Sequence, residues 1–154
     1  MFRGVSTLSL DDKGRLAIPT KYRDALSSCG DGHLVVTVGQ SDRCLWLYPL
    51  PEWEEIERKL VALPSMDKAS QRLKRILMGH ATDTDLDGSG RILLSAPLRE
   101  FAELTKNAVL IGQGNKFEIW NENLWNKRCE EWLSEEADGP GDSVLPVELE
   151  TLSL

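Results

Sequence analysis

Two short stretches carry the side chains best suited to chemistry: LDDKGRLAIP at residues 10–19 and LDGSGRILLS at residues 86–95. Each reads Leu-Asp-x-x-Gly-Arg followed by apolar residues. In the first, Lys13 and Arg15 bracket Gly14; in the second, Ser89 and Arg91 bracket Gly90. Glycine after such an Asp marks a tight turn, because it takes backbone angles that side chains disfavour. An arginine directly after it projects from the start of a short strand, and a basic hairpin of that kind suits the major groove of DNA. Its guanidinium can donate two hydrogen bonds to O6 and N7 of guanine, and a lysine can contact base acceptors or phosphate. On an extended segment Lys13 and Arg15 are expected to point the same way. Asp11 and Asp87 fit as acceptors for the turn amides or for the arginine, fixing its direction. The less favoured alternative is that each Asp–Arg pair is only a local salt bridge that stabilises a turn, and its recurrence does not separate the two roles. Lys13 against Ser89 predicts that the two turns are not equivalent.

Other chemistry finds little support. DTDLDG at residues 83–88 matches the first half of a calcium loop, yet Leu94 stands where the bidentate Glu belongs. The duplicated turn already accounts for Leu86-Asp87-x-x-Gly-Arg without a metal. Cys29, Cys44 and Cys129 show no CxxC spacing and read as buried thiols, and His33 and His80 lack partners at ligand spacing. GQGN at residues 112–115 lies between two predicted strands and reads as a turn. No nucleophile elbow or phosphate-cradling glycine loop occurs. Neither an enzyme, a cofactor nor a metal is expected.

The turns belong to a longer duplication. DDKGRLAIP, TKYRDALSS, HLVVTVGQ, CLWLYP and LPEWEEIERKLVAL in the first copy match DGSGRILLS, APLREFAEL, AVLIGQ, FEIW and NENLWNKRCEEWL in the second. Tyr22-Arg23 aligns with Leu98-Arg99, and Trp53 with Trp125. Each copy predicts a strand, the turn, a short strand, a helix, a strand pair and a second helix. STLSL and RLAIP are expected to form a β-hairpin, Thr20 to about Ser28 a helix after Pro19, and Pro51 to start the next helix. Between the copies MDKASQRLKRILMGHA, roughly residues 66–81, reads as an amphipathic basic helix with Leu73, Ile76 and Leu77 on one stripe. The expected boundaries are 1–64 for the first copy, 65–80 for the connecting helix, 81–133 for the second copy and 134–154 for an acidic, disordered tail.

Net charge is −7 over 154 residues, which by itself disfavours a polyanionic partner. The distribution reverses that. Residues 130–154 hold eight acids and no Lys or Arg, so residues 1–129 carry +1. Residues 1–23 hold five basic side chains against two acids, and a local basic face decides contact with DNA. No run of 18 apolar residues occurs and MFRGVSTLSL has no signal-peptide core, so a cytoplasmic protein with no membrane partner is expected.

The start MFRGVSTLSLDDKGRLAIPTKYRD, with CLWLYPLPEWE, LDGSGRILLSAPLRE and FEIW, resembles the MraZ family of bacterial transcriptional regulators over about residues 1–133. These are built from two AbrB-like (SpoVT-AbrB) half-domains. The resemblance implies an α+β fold with a mainly β core, a duplicated swapped-hairpin barrel with pseudo-twofold symmetry and peripheral helices. It further implies a homo-oligomeric ring that binds double-stranded DNA, at repeated boxes ahead of a division and cell wall gene cluster, and hence nucleoid association. The family's DNA-reading motif falls on Lys13, Gly14, Arg15, Ser89, Gly90 and Arg91. Arg3 joins them as a phosphate-contact candidate, from its charge and its place near the same hairpin. The rival reading is an antitoxin-like protein-binding module that engages a partner through the acidic tail.

Overall fold

The computed structural model describes residues 1–137; residues 138–154, most of the expected disordered tail, lie outside the described residues. The chain divides into two compact units, Met1–Glu122 and a second that begins at Asn123.

In the first unit the order is β1 (Phe2–Ser9), β2 (Arg15–Ala17), α1 (Thr20–Ser28), β3 (His33–Val38), β4 (Leu45–Pro49) and α2 (Leu50–Val61). It continues with α3 (Lys68–Leu77), β5 (Thr82–Asp85), β6 (Arg91–Leu93), α4 (Ala96–Phe101), β7 (Asn107–Gly114) and β8 (Phe117–Asn121). Both copies thus contain the expected series of elements. Pro19 precedes the first helical residue and Pro51 lies in the first turn of α2, positions where a missing N–H costs nothing. Asp67 caps α3 by accepting from the Ser70 N–H. GQGN is the turn between β7 and β8, closed by Gln113 N–H donating to the Lys116 carbonyl. None of the described helices is long and apolar enough to cross a membrane.

The expected β1–β2 hairpin does not form a ladder. Its strands touch through a single bridge, Leu10 to Leu16, and pair elsewhere. β1 runs antiparallel to β7 of the second copy, and β5 of the second copy runs antiparallel to β3 of the first. The sheet order is β1-β7-β8-β4-β3-β5, with β2 and β6 forming a separate two-stranded ladder. The expected barrel therefore does not close: β1 and β5 are the two edges of an open sheet. The copies nonetheless exchange their first strands, because each β1-type strand finds its unpaired N–H and C=O partners on the other copy.

The pairing is pseudo-twofold. β4 meets β8 with Leu45 opposite Ile119 and Leu47 opposite Phe117, about a centre at Trp46 and Glu118. β2 meets β6 with Arg15 opposite Leu93 and Ala17 opposite Arg91, about a centre at Leu16 and Ile92. One hydrophobic cluster takes repeat-related residues from both copies, such as Leu16 with Ile92 and Ile18 with Leu94. Phe2 of β1 stacks at 4.3 Å between ring centres on Phe117 of the other copy. A second cluster packs α2 and α3 over the opposite face at Val35 and Tyr48, using Trp53, Leu60 and Leu77. Leu73 and Ile76 join it, as their stripe predicts, while Lys68, Arg72 and Arg75 stay exposed. Of the cysteines only Cys44 is buried; Cys29 and Cys129 are half-buried.

In the second unit α5 (Glu122–Ala137) continues past residue 133 into the stretch read as tail. Within it Trp125 and Trp132 meet edge to face at 5.8 Å, and Arg128 pairs with Glu131.

At the β3–β5 edge His33 Nδ1 lies 2.5 Å from Asp85 Oδ1, in directly opposed register positions. Hydrogen bonding to Asp85 raises the His33 pKa above its ordinary 6.5. The pair therefore holds β5 fully below pH 6.5, and loosens as pH rises through the raised value. An NMR titration of the His33 ring should show that elevated pKa, and Asp85→Asn should return it toward 6.5. Leu16→Ala and Ile92→Ala should each cost about 2–5 kcal/mol in urea unfolding, because both side chains are fully enclosed. Their double variant should cost less than the sum, since the two residues oppose one another in the same ladder.

Candidate nucleic-acid interface

Each duplicated turn is organised by its aspartate. Asp11 Oδ1 accepts from the N–H of Lys13 at 3.0 Å and of Arg15 at 2.8 Å. Its other oxygen, Oδ2, accepts from Arg15 Nε at 2.7 Å. Asp87 repeats the arrangement: Oδ1 accepts from the N–H of Ser89 at 2.8 Å and of Arg91 at 2.9 Å, and Oδ2 from Arg91 Nε at 3.2 Å. Both roles foreseen for the aspartate, bonding the turn amides and orienting the arginine, occur at once. One carboxylate that both closes the turn and grips Nε leaves its arginine few orientations. It also leaves the two Nη groups unused: among the described residues none is hydrogen-bonded to an Nη of Arg15 or Arg91. The forked end that recognises planar acceptors is thus held and presented.

Gly14 and Gly90 complete the turns at φ +85° and +75°, in the region that disfavours a β-carbon. Here the copies interlock again. Gly14 accepts through its carbonyl from the Leu94 N–H, and Gly90 from the Ile18 N–H, each at 2.9 Å. Over Gly14 lies Arg99 of the other copy, close enough that a β-carbon would sit 2.8 Å from its Nε, and Arg23 covers Gly90 in the same way. Arg23 Nε donates to the Ile18 carbonyl at 2.8 Å, and Arg99 Nε to the Leu94 carbonyl at 3.1 Å. These two arginines were missed as site residues. Their signal was the repeat itself, which aligns Arg23 with Arg99.

The β2–β6 ladder brings the two turns together. Directly opposed residues share a face, so Arg15 and Leu93, then Ala17 and Arg91, line the outer side while Leu16 and Ile92 face the core. Arg15 and Arg91 are diagonal neighbours, about 7–8 Å apart at the backbone. Their side chains are 32% and 34% exposed, so the outer face offers two guanidiniums to a partner. Lys13 and Ser89 occupy equivalent exposed places in the turns. Lys13 lies in the turn and not on the strand, so strand alternation does not align it with Arg15 as expected. Along β1, Arg3 is remote from the turn that follows Ser9, while its carbonyl accepts from the hydroxyl of Tyr22, next to the Arg23 that covers Gly90. Arg3 sits at the far end of β1, opposite Gln113, about 20 Å along the strand from Ser9.

Backbone hydrogen bonds from Arg15 and Arg91 pull the carboxyl pKa values of Asp11 and Asp87 below the ordinary 3.8. A depressed carboxyl pKa contributes stability above the ordinary value and loses it as pH falls through the folded one. Carboxyl NMR titration should place both groups below 3.8, with the Lys13, Arg15, Ser89 and Arg91 amide signals moving in the same acid step. Asp11→Asn should free Arg15 Nε and speed the exchange of its proton with water, while Asp87, held by its own turn, should still titrate below 3.8.

The chain matches the family described as "MraZ protein, putative antitoxin-like" over residues 1–76 and again over 77–140. It is 57% identical to the transcriptional regulator MraZ of Halorhodospira halophila over 154 residues, covering all of both chains. It is 61% identical to that of Methylococcus capsulatus over 135 residues, 88% of each chain. With that of Idiomarina loihiensis it shares 53% over 154 residues, again all of both. Each of the two family matches contains one Asp-x-x-Gly-Arg turn and one strand of the β2–β6 ladder. The chain belongs to the MraZ family.

Proposed function

We propose that this protein is a sequence-specific DNA-binding regulator of transcription that reads base edges with the outer face of the β2–β6 ladder. The observation that carries this reading is the pair of aspartate-held arginines, Arg15 and Arg91, set on one exposed face with their Nη groups unused by any described residue. A two-stranded ribbon fits the major groove, and an arginine fork matches guanine O6 and N7. Arg23 and Arg99, each lying on the opposite turn, and Lys13 at the turn tip supply further positive charge toward phosphate. Ser89 in place of Lys13 makes the second turn the weaker anion partner. Arg3, at the far end of β1, contributes to this face only if the DNA extends that far.

In this reading the units are the copies 1–64 and 81–133, joined by the basic segment 65–80. One pair of turns offers few contacts, and a body of net charge +1 gives little general attraction to DNA. Several subunits assembled as a ring gain by effective concentration when the DNA carries several copies of the box. That geometry suits promoter repeats, such as those ahead of a division and cell wall gene cluster, and a nucleoid-associated protein. That similar proteins are transcriptional regulators named MraZ supports the same function.

The test is fluorescence anisotropy with the DNA upstream of the protein's own reading frame, against a scrambled duplex, over a salt series. Wild-type binding should prefer the native duplex and weaken as salt rises. Arg15→Ala should cost about 1–3 kcal/mol of the specific binding per engaged unit, and Arg91→Ala should also weaken it. Equal affinity for both duplexes, or an Arg15→Ala variant that binds like the wild type, sinks the proposal. The family's antitoxin-like description favours a second reading, capture of a basic protein partner by the acids of residues 130–154. Such binding would survive Arg15→Ala.

A further inference from the structure

The outer face of the β2–β6 ladder is not uniformly basic. Leu93 stands directly across from Arg15, and 56% of it is exposed. Exposed leucines are common, but this one occupies a rigid site. Its backbone is fixed on one side by the ladder with β2, and its carbonyl accepts from the Thr84 hydroxyl at 3.2 Å on the other. It therefore cannot fold back to cover itself as a loop residue could. The repeat-related position in the first copy is Ala17, so the pseudo-twofold scaffold presents a long apolar side chain on one side only. A guanidinium beside an apolar side chain matches a guanine followed or preceded by thymine, whose C5 methyl is the one apolar group in the major groove.

We infer that Leu93 is a specificity-determining residue that packs on the C5 methyl of a thymine within two base steps of the guanine engaged by Arg15. This rests on the DNA-binding reading above. Directly opposed residues place their Cβ atoms about 4.5–5.5 Å apart, against about 3.4 Å between successive bases. The thymine therefore lies within one or two base steps of that guanine. Ala17, opposite Arg91, reaches less far and makes the weaker contact. The unit thus holds DNA in one orientation, although its backbone is nearly symmetric.

The probe is a duplex selected from a random pool by the full-length protein. Each thymine of the selected site is replaced in turn by deoxyuridine, which removes the C5 methyl and nothing else. One position, within two steps of a guanine, should weaken wild-type binding about fourfold, the effect of one buried methyl group. Leu93→Ser should bind the thymine and deoxyuridine duplexes alike, whereas Ala17→Ser should keep the discrimination. Near-UV circular dichroism checks that Leu93→Ser retains the native core, from which the side chain points away. Wild-type binding indifferent to every deoxyuridine, or discrimination that survives Leu93→Ser, overturns this inference alone. So does a changed sedimentation coefficient for Leu93→Ser with discrimination intact, which would assign Leu93 to contact with a second copy. If no site depending on Arg15 is selected, the DNA-binding reading falls and this inference with it.

Discussion

The first strand of each copy has no ladder partner within its own copy. Phe2–Ser9 and Thr82–Asp85 leave a row of backbone N–H and C=O groups that must be bonded somewhere, and a short β2-type strand reached through a tight turn does not provide it. The exchange of β1 onto β7 and of β5 onto β3 meets that demand and joins the strands of the two copies in one sheet. Everything else in the first unit follows from it. The apolar residues after each Gly-Arg meet their repeat mates in a single cluster, and β2 and β6 are left facing one another.

That exchange also builds the candidate interface. A lone Asp-x-x-Gly-Arg turn can form locally, since its aspartate closes on its own amides within four residues. Local bonds do not support the glycine, which needs cover without a β-carbon in the way. The arginine lying on each glycine belongs to the other copy: Arg99 over Gly14 and Arg23 over Gly90. Each turn is thus braced by the half of the chain that carries its counterpart. A substitution that loosens one turn is coupled to the other through those arginines and through the reciprocal bonds at Leu94 and Ile18.

Electrostatically the molecule separates two tasks. The acids of Asp11 and Asp87 sit within the face proposed to meet an anion, which as net charge alone is self-defeating. It is consistent once each carboxylate is seen to be consumed by its turn amides and by an arginine Nε. What remains outward are the Nη groups, which recognise geometry more than they add charge. The acidic surplus of the chain lies elsewhere, in residues 130–154, while residues 1–129 are close to neutral. On the proposed reading, that division suits preference for a particular base sequence over general adhesion to polyanions.

The amino-acid sequence by itself determined the local pieces: the duplication, the Asp–Gly–Arg turns, helix starts at Pro19 and Pro51, the stripe Leu73, Ile76 and Leu77, and the segments that carry the family resemblance. Each of these is written within a few residues, as a turn residue, a cap or a helical period. The partners of the strands were not legible in that way. STLSL and RLAIP read as a hairpin because neighbours in sequence usually pair, yet the long-range ladders to β7 and β6 satisfied more backbone and more apolar surface. Arg3 seemed near the turn by sequence, but an extended strand carries it away. Arg23 and Arg99 were visible only as a matched pair, and Leu93 only as one more apolar residue. Their placement was decided by tertiary structure, because which side chains share a face depends on register between distant strands, and no local pattern encodes that register.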